Sequence, residues 1–167
     1  MHIRPEADAD RPAIYSVNKA AFETSAEANL VDTLRAKAGQ LISLVAEIDE
    51  QIVGHIFFSA VSLTERPELS LMGLGPMAVL PKHQRQGVGS ALVREGLKRC
   101  KQQGYEAVVV VGHPEYYPRF GFVPASRYGI RCEYDVPDDV FMIVELVAGT
   151  LWGASGLIRY DEAFDNV

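Results

Sequence analysis

The sequence predicts an α/β domain carried by a mixed, mostly antiparallel sheet of about seven strands with about four helices. Three observations point to it. Residues 74–103 read as an apolar strand, a short basic loop with two glycines and a long helix, the strand-to-helix unit of an α/β fold. Residues 41–48 and 52–63 are rich in branched apolar side chains and are parted only by Asp49, Glu50 and Gln51, so they read as a hairpin. Ahead of them, apolar residues recur at helical spacing in two short stretches.

Taken in order, residues 1–5 form a first strand. Asp8 or Asp10 caps a helix with Pro12 near its first position, and Ile14, Val17 and Ala21 mark its apolar face. Thr24-Ser25-Ala26-Glu27 fits a capping box, with Thr24 at the N-cap and Glu27 at N3. Leu30, Val31 and Leu34 give the buried face of this second helix, which ends at Gly39. Gly54, inside the return strand of the hairpin, marks a bulge or a close approach.

Residues 65–68 are a loop, and residues 69–79 a central strand that Pro81 stops. Gly73, Gly75 and Pro76 interrupt that strand. Either it is two short strands with a turn, or a bulge splays the sheet and releases backbone N–H groups for a ligand. The long helix opens near Gly87 or Gly89 and runs to about Gln103, with Gly104 just past its end. Val88, Ala91, Leu92, Val93, Leu97 and Cys100 form its apolar stripe, while Arg94, Lys98, Arg99 and Lys101 form a solvated face suited to the helix dipole. Residues 106–111 are a strand covered on both faces, ended by Gly112 and Pro114. Residues 115–120 give one or two turns of helix. Residues 130–134 and 140–146 are two strands expected to pair antiparallel. Trp152, Tyr160 and Phe164 make the tail too apolar to hang free, so it packs on the domain or on a second subunit, as in a homodimer.

A chain of 167 residues is one domain by length, with a core over about 1–147 and a C-terminal extension over 148–167. The net charge of −6 disfavours a nucleic-acid or membrane-surface binder. No run approaches the ~18 apolar residues of a membrane span. The charged start lacks the apolar stretch of a signal peptide, which points to the cytoplasm. Cys100 and Cys132 lack metal-ligand spacing and read as reduced thiols, so no metal is expected.

The loop before the long helix carries the clearest chemistry. Gln84-Arg85-Gln86-Gly87-Val88-Gly89-Ser90 puts two glycines where a helix begins. Glycines there let an anion approach the first N–H groups, which lack intrahelical partners and carry the positive end of the dipole. Lys82, His83 and Arg85 add charge around the same spot. The reading is a pyrophosphate site. A Walker loop would need Lys-Ser/Thr after the second glycine, and a dinucleotide fingerprint would need glycine at Leu92; neither is present.

Gln84-x-x-Gly87-x-Gly89, after Met77-Ala78-Val79 and Pro81, resembles the Q/R-x-x-G-x-G/A acetyl-CoA signature of the GNAT superfamily of N-acetyltransferases. The block His113-Pro114-Glu115-Tyr116-Tyr117-Pro118-Arg119-Phe120-Gly121-Phe122 is similar to that superfamily's Tyr-x-x-x-Gly-Phe element. With Arg4-Pro5-Glu6 and the strand pair around Asp49-Glu50, the resemblance covers roughly 1–147 and looks closest to the YhbS-like subgroup. It implies a GNAT-like acyl-CoA N-acyltransferase fold, acetyl-CoA as co-substrate, and an amine-bearing small molecule or protein as acceptor. It also implies that the N–H groups of Met77, Ala78 and Val79 hold the thioester arm, and that Tyr117 is the general acid. Tyr116 is the competing tyrosine. For the general base, Glu27, His55, His113 and Glu115 stay open, as does a water relay. The rival readings are a CoA-binding module without chemistry and an acyltransferase for another acyl-CoA.

Overall fold

A computed structural model describes residues 1–37 and 39–167. Among these residues there are nine strands and three α-helices. The chain divides into two compact units: Met1–Ser59 with Gly75–Gly96 and Glu162–Val167, and Ala60–Leu74 with Leu97–Asp161.

In the first unit, β1 (His2–Pro5) pairs antiparallel with β2 (Leu41–Ile48), and β2 pairs antiparallel with β3 (Gln51–Leu63). Asp49 and Glu50 have φ of 50° and 65°. Positive φ at both central residues is what a two-residue hairpin needs to match the strand twist. The register jumps from Ala46↔Gly54 to Glu47↔Ile52, leaving Val53 as an extra residue. The Val53 carbonyl accepts the N–H of Leu80 at 2.8 Å.

One face of this sheet presents Val45 and Phe57 to Ile14 of α1 (Arg11–Ala21) and to Leu30, Val31 and Leu34 of α2 (Ala26–Ala36). Burial of each such side chain stabilises by about 1.5–3 kcal/mol. Ala163 and Phe164 pack on the same cluster. The other face meets α3 (Val88–Gln102). A Cβ on Gly54 would lie 2.9 Å from Val88 Cγ1 and 3.1 Å from Leu92 Cδ1. Gly54 is thus a close-approach residue standing beside a bulge.

The capping box is not formed. Helix α2 begins at Ala26 with Ser25 at the N-cap, and the Thr24 hydroxyl accepts the Ala26 N–H at 3.2 Å. A threonine bonding two residues ahead makes a local turn, which competes with the longer-reaching box.

In the second unit, Leu71–Leu74 of β4 (Leu71–Val79) pair parallel with β5 (Ala107–Val111). Strand β4 runs unbroken through Gly73, Gly75 and Pro76, so the two-strand alternative falls. Strand β5 pairs antiparallel with β8 (Phe141–Glu145), and β6 (Val123–Pro124) takes the other edge of β8. Two short strands were not expected: β6, and β9 (Gly156–Arg159) in the tail. They overturn the pairing expected for residues 130–134 and 140–146. With β6 on β8, β7 (Ile130–Cys132) pairs parallel with β9 instead. Its link to β8 holds Pro137 ahead of a 3-10 turn, Asp138–Val140, not a tight hairpin loop.

The core of this unit includes Leu63, Leu71, Val109, Ile130, Ile143, Leu151 and Ile158. Helix α3 ends as a Schellman motif. Gly104, at φ 89°, donates to Lys101 O, and Tyr105 donates to Cys100 O. The fourth helix expected at 115–120 is a 3-10 turn over Tyr117–Phe120. Trp152 is 86% exposed. Among the described residues, no helix is long and apolar enough to cross a membrane, and no group of three metal-ligating side chains exists.

Candidate active site

The glycine loop belongs wholly to the first unit. Strand β4 ends at Val79, and a 3-10 turn, Pro81–His83, follows. The His83 N–H donates to Leu80 O at 2.8 Å. Gln84 returns to extended backbone, and its side-chain amide donates to Val79 O at 3.0 Å. The Gln86 side-chain amide donates to Lys82 O at 3.1 Å. The loop is therefore tied to itself and to the strand by its own glutamines.

Arg85 and Gly87 both take left-handed backbone, with φ of 60° and 86°. For Gly87 this conformation carries no steric penalty; for Arg85 it costs of order 1 kcal/mol or more. The Gly87 carbonyl accepts the Ala91 N–H at 3.0 Å, the first bond of the helix. Val88 and Gly89, ahead of that bond, have no carbonyl four residues back within the helix. Apart from Gly87 and its two chain neighbours, no atom of the described residues lies within 4 Å of where a Gly87 Cβ would stand. Lys82, Arg85 and Gln86 are exposed around this mouth, whereas Val88 is buried and fixes the helix to the sheet. Ser90 is half-buried in the same turn, as are Met77 and Val79 of β4, and Ala78 is buried. Open space, glycine and a helix start coincide, which suits a diphosphate.

In the second unit, Tyr117 opens the 3-10 turn that Gly121 closes at φ 96°. Its ring is 6% exposed and stacks edge-on against Phe122 at 5.6 Å and Tyr116 at 5.1 Å. A Cβ on Gly112 would come within 2.3 Å of that ring. Desolvation, then the neighbouring Tyr116, push the Tyr117 pKa well above that of a free phenol, so the hydroxyl keeps its proton. Tyr116 lies outside it, with the Arg119 guanidinium 4.5 Å from its ring centre.

The candidate bases fare differently. His55 is fully buried between the Asn18 side-chain amide at 3.1 Å and the Ser43 hydroxyl at 2.8 Å. Asn18 donates to Nδ1, so the ring proton sits on Nε2 and is donated to Ser43. Burial pushes the His55 pKa down to about 3, with the Arg35 charge adding to it. It is a neutral structural residue, not a base. His113 and Glu115 are exposed in the second unit. Glu27 is half-buried, and its Oε2 is buried without a hydrogen-bond partner. Sequence reasoning passed over Asn18, although a polar residue four after Ile14 on an apolar helix face was the available signal.

In fold the chain is an acyl-CoA N-acyltransferase with a mixed sheet. It belongs to the GNAT acetyltransferases: the profile described as an acetyltransferase (GNAT) domain matches residues 2–125. It is 38% identical to the N-acetyltransferase YhbS of Escherichia coli over 167 residues, 99% of each chain. The structure of that GNAT protein in complex with CoA superposes with a TM-score of 0.94 over 98% of this chain and 91% of the other. A GNAT acetyltransferase from Brucella melitensis, solved with acetyl-CoA, is 34% identical and gives 0.81 over 98% and 97%. This protein is accordingly an acyltransferase enzyme of the N-acetyltransferase class.

Proposed function

We propose that the protein transfers acetyl from acetyl-CoA to a primary amine of a small-molecule or protein acceptor by direct attack. The amine nitrogen bonds the acetyl carbon, the carbon–sulfur bond breaks, the amine loses a proton and the thiolate gains one. The observation that carries this reading is the Gly87 mouth, where Val88 and Gly89 have no helix carbonyl four residues back and a Cβ on Gly87 would meet no described atom beyond its chain neighbours within 4 Å. The relatives solved with CoA and acetyl-CoA support the same ligand class.

In this reading Gln84, Arg85, Gln86, Gly87, Val88, Gly89 and Ser90 hold the pyrophosphate. Backbone N–H groups of Met77, Ala78 and Val79 orient the thioester and draw charge onto its oxygen. Tyr117 is the proton donor to the leaving thiolate. No metal takes part. All 167 residues act as one N-acetyltransferase domain, with the core over about 1–147 and 148–167 packed on it; the cytoplasm is the proposed site of action, and a homodimer the proposed assembly if the tail recruits a second subunit.

The test is a thiol-release assay with acetyl-CoA against a panel of amines, alongside calorimetry with CoA and with pantetheine. CoA should bind and raise the melting temperature by mass action, and pantetheine should bind far more weakly. Equal affinity for the two removes the loop from the site.

A further inference from the structure

The second unit has a cavity of about 340 Å³ that no residue of the glycine loop borders. Its apolar lining is Ile130 of β7, Leu157 of β9 and Phe141 at the start of β8. Ile130 and Phe141 belong to the buried core of the unit. In the register of β7 with β9, Arg131 stands beside Leu157, and both border the cavity. The segment that leads from β7 to β8 adds Asp135, Val136 and Asp138. Small-ligand sites span roughly 300–1,000 Å³ and combine an apolar lining with a few placed polar groups, and this cavity has that make-up.

The lining is fixed by contacts of its own. The Glu133 N–H donates to Ile158 O at 3.1 Å, its Oε1 accepts the Tyr160 N–H at 2.8 Å, and its Oε2 lies 3.7 Å from Arg159 Nη1. Glu133 is thus engaged within the fold. The Tyr134 ring packs against Tyr160, with centroids 5.8 Å apart. Cys132 and Val136 pack on the core. The Val140 N–H donates to Pro137 O at 3.2 Å, closing the 3-10 turn that carries Asp138. Arg131, Asp135 and Asp138 differ from Glu133. All three are exposed, and none pairs with another charge among the described residues. An exposed charge alone is ordinary. A guanidinium and two carboxylates that border one cavity without meeting, beside an apolar lining, form a pattern with a matching ligand.

We propose that this cavity binds a small zwitterion of the amino-acid class, with its carboxylate on Arg131, its ammonium on Asp135 and Asp138, and its carbon stem against Leu157 and Phe141. A guanidinium takes a carboxylate through two parallel N–H donors. An ammonium has three donors and no acceptor, so carboxylates complement it. A ligand with one charge satisfies only one end of the cavity. The site stands independently of the acetyl-CoA reading, because no residue proposed to hold CoA borders it. It has a neighbour in the same unit. Phe141 is the register partner of Val111, and the Gly112 N–H donates to Val140 O at 2.9 Å. Gly112 is the residue against which the Tyr117 ring sits. The cavity therefore shares the start of β8 with the segment that seats Tyr117.

The experiment uses the full chain without CoA. Calorimetry compares 4-aminobutyrate and 6-aminohexanoate with butyrate and n-butylammonium, which carry one charge each. One of the two amino acids should bind roughly tenfold tighter, or more, than both single-charge probes. Arg131→Gln should lower its affinity to that of n-butylammonium. Asp135→Asn combined with Asp138→Asn should lower it to that of butyrate. The three side chains are exposed, so the melting temperature should hold. Location is read from the thiols: Cys132 borders the cavity, whereas Cys100 is buried in α3. Occupancy should slow alkylation of Cys132 and leave Cys100 unchanged. Amino acids that bind no tighter than the single-charge probes overturn the proposal. So does unchanged binding in Arg131→Gln, or a Cys132 that reacts equally fast with the ligand present. Should the variants fail to fold, the four-probe comparison and Cys132 protection on the wild type decide. CoA is titrated separately, and its failure to bind would overturn the acetyl-CoA reading without touching this site.

Discussion

The side-chain amide of Gln84 reaches back to the carbonyl of Val79, 3.0 Å away, and so hooks the glycine loop onto the end of strand β4. The loop is pre-shaped by this bond before any ligand arrives. Gln84→Ala removes it, and a hydrogen bond of this kind is worth about 0.5–1.5 kcal/mol. Calorimetry should show CoA binding roughly 2- to 10-fold more weakly, with little change in melting temperature. Unaltered affinity would mean that the hook plays no part in shaping the site.

Gly87 holds φ at 86° in open space. A branched residue there pays for left-handed backbone, about 1–2 kcal/mol, and also intrudes where the phosphates approach. Gly87→Val should lose CoA binding while a cooperative melt persists. Normal binding by this variant would reduce Gly87 to a turn residue.

Tyr117→Phe keeps the packed ring and removes the hydroxyl. If that hydroxyl protonates the thiolate, kcat should fall by roughly 10²–10⁴-fold, the span of general acid catalysis. CoA affinity should hold within a few-fold. Tyr116→Phe should be much milder, since Tyr116 is half-buried under Arg119. Full turnover in the first variant with loss in the second would transfer the role to Tyr116.

Gly112→Ala offers an independent route to the same tyrosine. The added methyl would fall 2.3 Å from the Tyr117 ring, and the ring must move. Overpacking of this kind costs about 1–3 kcal/mol, so the melting temperature should drop and kcat should fall with it. Retained activity in a destabilised protein would separate ring position from catalysis.

His55 makes stability depend on pH. Its folded pKa lies near 3, and its unfolded pKa is about 6.5. Between these values the unfolded chain binds a proton that the folded chain refuses. Stability from this group is therefore complete above about pH 6.5 and is lost as pH falls toward 3, at up to ~1.4 kcal/mol per pH unit. His55→Gln should flatten the denaturation midpoint against pH over that window. An unchanged slope would show that carboxylates such as Asp10, itself held low by Arg4, account for the acid sensitivity.

What could be read from the sequence was what short spacing determines. Gln84, Gly87 and Gly104 announce loop, helix start and helix end because each acts on neighbours a few residues away. Thr24 misled because a local turn and a capping box share the same residue types, and their difference lies in one dihedral. The partner of β7 was illegible because β6 is two residues long and β9 lies in the tail; strand pairing is decided by which edge is already taken. At the site, the glycine mouth was legible. The isolation of Glu27 Oε2 was not, because a missing partner is a property of the packed chain, not of the residue.

The extra residue at Val53 has a genetic corollary. It places Gly54 against α3, and its carbonyl holds Leu80 at the threshold of the loop. Losing the Val53 codon would restore even pairing, with Gly54 still opposite Ala46 and Ile52 opposite Glu47, but would remove the carbonyl that holds Leu80. In a deletion scan this short interval should behave as a fixed reading frame, while the loop over residues 64–70 accepts changes of length.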